Sequence, residues 1–155
     1  TFLNSVSTAD ISETTSMQIK SMYKIIGELE SLGDSGEAIS RMLSRRNSHN
    51  KSFTPDTIAH IEQMIDAIHH AYEVMINNLS QAHAGTLSNI SKALQTEEQI
   101  NQLRNQLRES EIEDIEQNKT NYQTSVYYLD IVSELEKMGD FMINISQALE
   151  RAFIK

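Results

Sequence analysis

The sequence predicts an all-α fold, an elongated antiparallel bundle of about four long helices, and three observations predict it. Proline occurs once and glycine five times in 155 residues, so little in the chain breaks a helix. Ile, Leu, Met and Ala carry the apolar fraction, a mixture that favours helix over strand. Apolar positions recur at alternating three- and four-residue steps through four long segments, and no segment shows the period of two that a half-buried strand requires.

The first segment, roughly residues 8–46, sets Met22, Ile25, Leu29, Leu32, Gly36, Ile39 and Leu43 in one seam. It runs out in SRRNSHNKSF, where Arg45 and Arg46 suit the negative end of a helix dipole. The second has the sharpest start: Thr54 can cap, and Pro55 fits the first helical position, where its missing N–H is not needed. Ile58, Ile61, Ile65, Ile68, Tyr72, Met75 and Leu79 continue its seam. The stretch HAGT at 83–86 reads as the reversal into a third helix carrying Leu87, Ile90, Leu94, Ile100, Leu103 and Leu107. The polar stretch EQNKTN at 116–121 separates it from a fourth with Val126, Leu129, Val132, Leu135, Met142, Ile145 and Leu149. Short polar connections imply that successive helices run as antiparallel neighbours.

Thirteen basic residues against twenty-two acidic ones give a formal charge of −9, which repels a phosphate backbone, and the basic clusters are small (Arg41, Arg45 and Arg46; Arg104 and Arg108). Nucleic acid is therefore not the expected partner. The absence of cysteine removes disulfides, thiolate metal sites and thiol nucleophiles, and it fits a reducing compartment. No window approaches the ~18 consecutive apolar residues of a membrane span, and no signal-peptide pattern opens the chain. The expectation is a piece that does not insert in a membrane, excised from a longer polypeptide because it opens on Thr1.

One phrase occurs twice. Residues 27–34 read GELESLGD and residues 133–140 read SELEKMGD, an offset of 133 − 27 = 106 positions. The offset pairs Glu30 with Glu136, Gly33 with Gly139, Asp34 with Asp140, Ile39 with Ile145 and Ser40 with Ser146. Apolar matches are what any two bundle helices share; the Glu, Gly and Asp are not. Glu and Asp four apart stand on one helix face and repel unless a cation or basic neighbour lies between them. A glycine inside a helix costs up to ~1 kcal/mol relative to alanine, so close approach of another helix or a ligand is expected at both copies.

In the fourth helix Leu135, Glu136, Gly139, Asp140, Asn144, Ile145 and Ser146 carry a signature that resembles that of the PhoU family, usually written around LERIGD and NIAE. Leu29, Glu30, Gly33, Asp34, Ile39 and Ser40 carry a weaker copy, and LQTEEQINQLRNQLRES at 94–110 is similar to the helix that precedes the motif helix in that family. The resemblance implies tandem three-helix bundles, each closing on a motif helix. Residues 54–155 would then form one complete bundle, and 8–46 the last helix of a preceding, truncated one. It also implies a regulator of phosphate uptake or signalling rather than an enzyme, most like the cytoplasmic tail of a bacterial sodium/phosphate cotransporter. That tail would be tethered to the inner membrane by an upstream region, with the transporter's membrane domain or phosphate-signalling proteins as partners. The alternative within the family is a stand-alone adaptor.

The resemblance further implies divalent or ferric ions (Fe, Mn, Mg or Ca) at the ExxxD motifs, held by Glu30, Asp34, Glu136 and Asp140, with Glu97 and Glu98 from the third helix. Hard oxygen donors suit these ions. The chain departs from the family pattern at Asn101, where a second carboxylate is usual, at Ser31 and Lys137, where arginine is usual, and at Ser35 and Phe141, where histidine is usual. The competing reading is of solvated carboxylates on the flank of the seam, with Lys137 and Arg151 as counter-charges. Glu97 falls between Leu94 and Ile100 of the seam, so it needs a partner, a metal, or a kink that turns it outward. A carboxylate-bridged metal enzyme is the rival class, but Asp66 and His69 give only one D-x-x-H where such bundles use two. A seam left open by missing helices would be covered by packing on the other three or by a homodimer.

Overall fold

The computed structural model describes residues 12–48 and 53–154. These form four helices, α1 (Glu13–Ser48), α2 (Pro55–Ala84), α3 (Ser91–Glu116) and α4 (Tyr122–Phe153), with no strand among the described residues, which confirms the all-α bundle. The expected start of the first helix at residues 8–11 and the side chain of Arg46 lie outside the described residues.

Local chemistry sets the helix ends. Ser12 Oγ accepts from the N–H of Thr15 at 3.1 Å and opens α1. Thr54 Oγ1 accepts from Thr57 N at 3.2 Å with Pro55 in the first turn, as expected for α2. That helix closes on Gly85 at φ 75°, whose left-handed backbone lets Thr86 N reach Gln81 O at 2.8 Å. Asn118, at φ 55°, ends α3 in the same way, with Lys119 N donating to Asp114 O at 2.9 Å. Asn121 Oδ1 then accepts from Gln123 N and Thr124 N to start α4.

The central helix is α4, which packs against each of the other three. Helices α2 and α3 also pack on one another, so α2, α3 and α4 make a three-helix bundle, while α1 packs on α4 alone. This corrects the expectation that each helix neighbours the next, because α1 and α2 stand apart on the two sides of α4. Polar pairs set the antiparallel register of α1 on α4: Gln18 with the carbonyl of Ala152, Glu28 with Asn144 and Ser35 with Glu134.

A helix with one partner buries only a narrow stripe. In α1 that stripe is Ser21, Ile25, Glu28, Leu32, Ser35 and Ile39, and Met22 and Leu29, expected in the seam, are 43% and 41% exposed. Hydropathy marked the apolar residues of α1, but α4 selects the face where short polar groups find partners. In α2 the inward residues are Ile61, Met64, Ile68, Ala71, Met75 and Asn78, and the expected Ile58, Ile65 and Tyr72 are exposed. Thr96 takes the buried place expected of Leu94 in α3, and Val126 of α4 is exposed. Helix α4 has neighbours on three sides and buries Tyr128, Ile131, Val132, Leu135, Ile145 and Leu149 almost completely.

Two polar contacts run through this core. Asn78 Nδ2 donates to Ser146 Oγ at 3.1 Å, tying α2 to α4. At the α3–α4 turn Ser125 Oγ donates to Glu111 Oε1 at 2.6 Å, so its lone pair accepts from Thr120 Oγ1 at 2.8 Å. Burial first, then the negative charges of Glu111 and Asp114, pushes the Tyr128 hydroxyl above its usual range.

Candidate functional site

The structure divides the motif of α4 into packing residues and surface residues. Leu135, Ile145 and Ser146 are buried, and Gly139 lies under α2 and α3, where an added Cβ would stand 3.1 Å from Ile100 Cδ1 and 3.6 Å from Ile68 Cδ1. Glu136 and Asp140 are half-buried on the flank facing α3, whose Arg104, Arg108 and Glu97 stand opposite. Arg104 Nη1 pairs with Glu136 Oε1, and one turn on Arg108 Nη2 donates to Ser133 Oγ at 2.8 Å. Asp140 makes no ion pair of its own among the described residues. Partial burial, then the charges of Glu136 and Glu97, raises its carboxyl above the usual value, and Arg104 opposes the shift.

The site residues expected from the sequence separate into three groups. Glu97, Glu136 and Asp140 come together at the α3–α4 flank. Glu98 is exposed and accepts from Gln102 Nε2 at 3.2 Å, on its own helix. Glu30 and Asp34 are exposed on α1, a helix that does not pack against α3, and cannot join the other group. Asp34 instead borders a polar cleft with Glu134, Lys137 and Phe141. Glu97 needs no kink, because the buried face of α3 passes through Thr96 and Ile100 and leaves it at the edge. The expected close approach at the glycines holds at Gly139 only: nothing lies within 4 Å of a Cβ placed at Gly33.

No group of three acidic or histidine side chains among the described residues has a geometry that could hold a metal ion. At the α3–α4 flank the cation that answers Glu136 is the guanidinium of Arg104. Sequence reasoning missed Arg104 as a member of the site, although its position seven residues after Glu97 on one helix face was a readable signal. His69 pairs with Glu73 at 3.2 Å on the surface, and among the described residues no second histidine motif meets it.

Two predictions test this electrostatic reading. A carboxyl whose folded pKa lies above its unfolded value adds stability at low pH and loses it as the pH rises through the folded value, so ionised Asp140 opposes folding near neutrality. Asp140→Asn is expected to stabilise the protein slightly at pH 7, and the gain should fade as the pH falls into the ordinary carboxylate range. Urea titrations of both proteins across that range measure it; a pH-independent difference refutes the charge origin. Arg104→Ala leaves Glu136 unpaired beside Glu97 and Asp140 and should cost about 1 kcal/mol at pH 7, less in high salt.

Fold and flank together define an all-helical bundle whose closing helix presents a carboxylate pair to an arginine-bearing neighbour. The PhoU domain model matches residues 60–149, more than half of the 155 residues, and the chain belongs to the PhoU family. Comparisons with curated proteins and with solved structures found no match. The family is regulatory in phosphate homeostasis and in general not enzymatic. The matched span runs from within α2 through α3 to near the end of α4 and leaves out α1 with its second copy of the motif. Among the described residues no helix is long and apolar enough to cross a membrane.

Proposed function

We propose that this chain is a non-catalytic module that restrains phosphate uptake through protein contact. In this reading it is the cytoplasmic tail of a sodium-dependent phosphate transporter, tethered to the inner membrane through an upstream region. The supporting observation is the family match across α2–α4 combined with a second copy of the motif on α1, which among the described residues packs on α4 alone. On this reading α1 closes a preceding bundle, and the partners are the transporter's membrane domain or phosphate-signalling proteins. A stand-alone phosphate-uptake adaptor would use the same surfaces.

Excising the segment that encodes this chain from its gene, and following labelled phosphate uptake in phosphate-replete cells, tests the proposal. Unrestrained uptake is expected; unchanged uptake together with an unchanged phosphate-starvation response refutes it.

A second reading places a divalent or ferric ion between Glu97, Glu136 and Asp140, favoured by one observation: Asp140 lacks a cation partner of its own. The ion would have to displace Arg104 from Glu136. Equilibrium dialysis against Mn²⁺ decides it, since binding lost in Asp140→Ala supports the reading and no saturable binding removes it.

A further inference from the structure

Helix α3 ends against its own dipole. Residues 109–116 hold five carboxylates, Glu109, Glu111, Glu113, Asp114 and Glu116, and the last turn has no basic residue. The C-terminal end of a helix is its negative end, so each of these charges is unfavourable there without a cation. None of the five makes an ion pair with another described residue. The basic side chains nearest in sequence do not answer them: Arg108 donates to Ser133, and Lys119, past the turn, is exposed.

Two buried groups at this end are also incomplete. Glu111 is 5% exposed, and among the described residues its carboxylate accepts from the Ser125 hydroxyl alone. Tyr128 follows Ser125 by one turn of α4, is wholly buried, and has a hydroxyl with no hydrogen-bond partner among the described residues. Native proteins leave few buried polar groups unanswered, because each one costs folding free energy. Burial, then the negative charges of Glu111 and Asp114, holds the proton on the Tyr128 hydroxyl, so it is a neutral oxygen within electrostatic reach of both carboxylates. Asp114 is half-buried one turn after Glu111, on the adjoining part of the same helix face.

We propose that the carboxylates of Glu111 and Asp114 and the hydroxyl oxygen of Tyr128 form a site for a hard divalent cation, magnesium or calcium, at the α3–α4 turn. The donors are all oxygen, which suits these ions. No cage of three acidic or histidine side chains exists among the described residues, so the ion keeps water in its remaining positions, as magnesium does when one or two carboxylates hold it. Depth selects an ion over a basic partner. Glu111 and Tyr128 are enclosed within the bundle, where a lysine or arginine from a docked protein does not reach, and no helix laid on the surface could supply their missing partners. The same ion answers the charges that oppose the dipole of α3. The site lies two turns beyond Arg104 on α3 and uses none of the residues of the Glu136 flank. It depends neither on that flank nor on phosphate as the physiological signal.

The test is urea unfolding of the whole chain in rising magnesium or calcium chloride at constant ionic strength, with titration calorimetry for affinity. A ligand of the folded state raises stability by mass action, so the unfolding midpoint should rise saturably. Half-saturation is expected below about 1 mM. Glu111→Gln keeps the shape and the acceptor for Ser125 while removing the charge, and its midpoint should no longer respond to the cation. Tyr128→Phe should weaken binding about tenfold and leave the cation-free protein at least as stable, since it removes an unpartnered hydroxyl. Glu113→Gln, at an exposed acid of the same helix end, and Glu136→Gln, on the flank, should leave binding unchanged. No saturable response up to about 10 mM of either ion overturns the proposal. Equal losses in Glu111→Gln and Glu113→Gln would show diffuse counter-ion attraction, and a loss in Glu136→Gln but not in Glu111→Gln would put the ion on the flank; either result also overturns it.

Discussion

Gly139→Val is expected to destabilise the protein by about 2–3 kcal/mol, the upper part of the range for overpacking a close-packed core. A single Cβ at this position already meets Ile100 Cδ1 at 3.1 Å and Cγ2 at 3.4 Å, and Ile100 is itself only 2% exposed. Two further methyl groups must therefore force α3 away from α4. The companion substitution Gly33→Ala should act in the opposite direction and stabilise by up to ~1 kcal/mol, because that glycine is helical, meets nothing and gains only helix propensity. Urea unfolding of the two variants gives both values. Losses of similar size at both positions would show that Gly33 is covered in solution and would sink the contrast between the two copies.

Ser125→Ala is expected to cost about 2 kcal/mol, within the range for hydrogen bonds to a charged group. Glu111 is only 5% exposed, and among the described residues no cation lies within ion-pair distance of it. It accepts from the Ser125 hydroxyl at 2.6 Å, itself held in the donating orientation by Thr120. Alanine removes the donor and leaves a buried carboxylate next to Tyr128. The measurement is the unfolding free energy at pH 7. A cost below about 0.5 kcal/mol would mean that another donor or water serves Glu111 equally well.

The contrast between the two copies of the motif shows how much of the site was legible. Both copies read nearly alike, so the sequence justified expecting similar surroundings for Glu30 and Asp34 as for Glu136 and Asp140. The surroundings differ because α4 faces Glu97 and Arg104 of α3, while α1 has only α4 as a neighbour. Arg104 was visible as part of a basic cluster, but its pairing with Glu136 depends on the register between α3 and α4, which no local pattern encodes. Leu29 shows the same limit for packing: apolar spacing placed it in a seam, and the choice of α1's buried face by Ser35, Glu28 and their partners on α4 left it 41% exposed.

Helical class, the number of helices and the caps at Thr54, Gly85 and Asn121 were determined by the sequence alone, since each rests on interactions within a few residues. The same holds for the family signature, which is a pattern of residue types along one helix. Which helix is central, which motif glycine is covered and which arginine answers Glu136 were decided by tertiary structure. These depend on which faces meet across separations of tens of residues, and an apolar stripe marks a face that can be buried without naming the helix that will bury it.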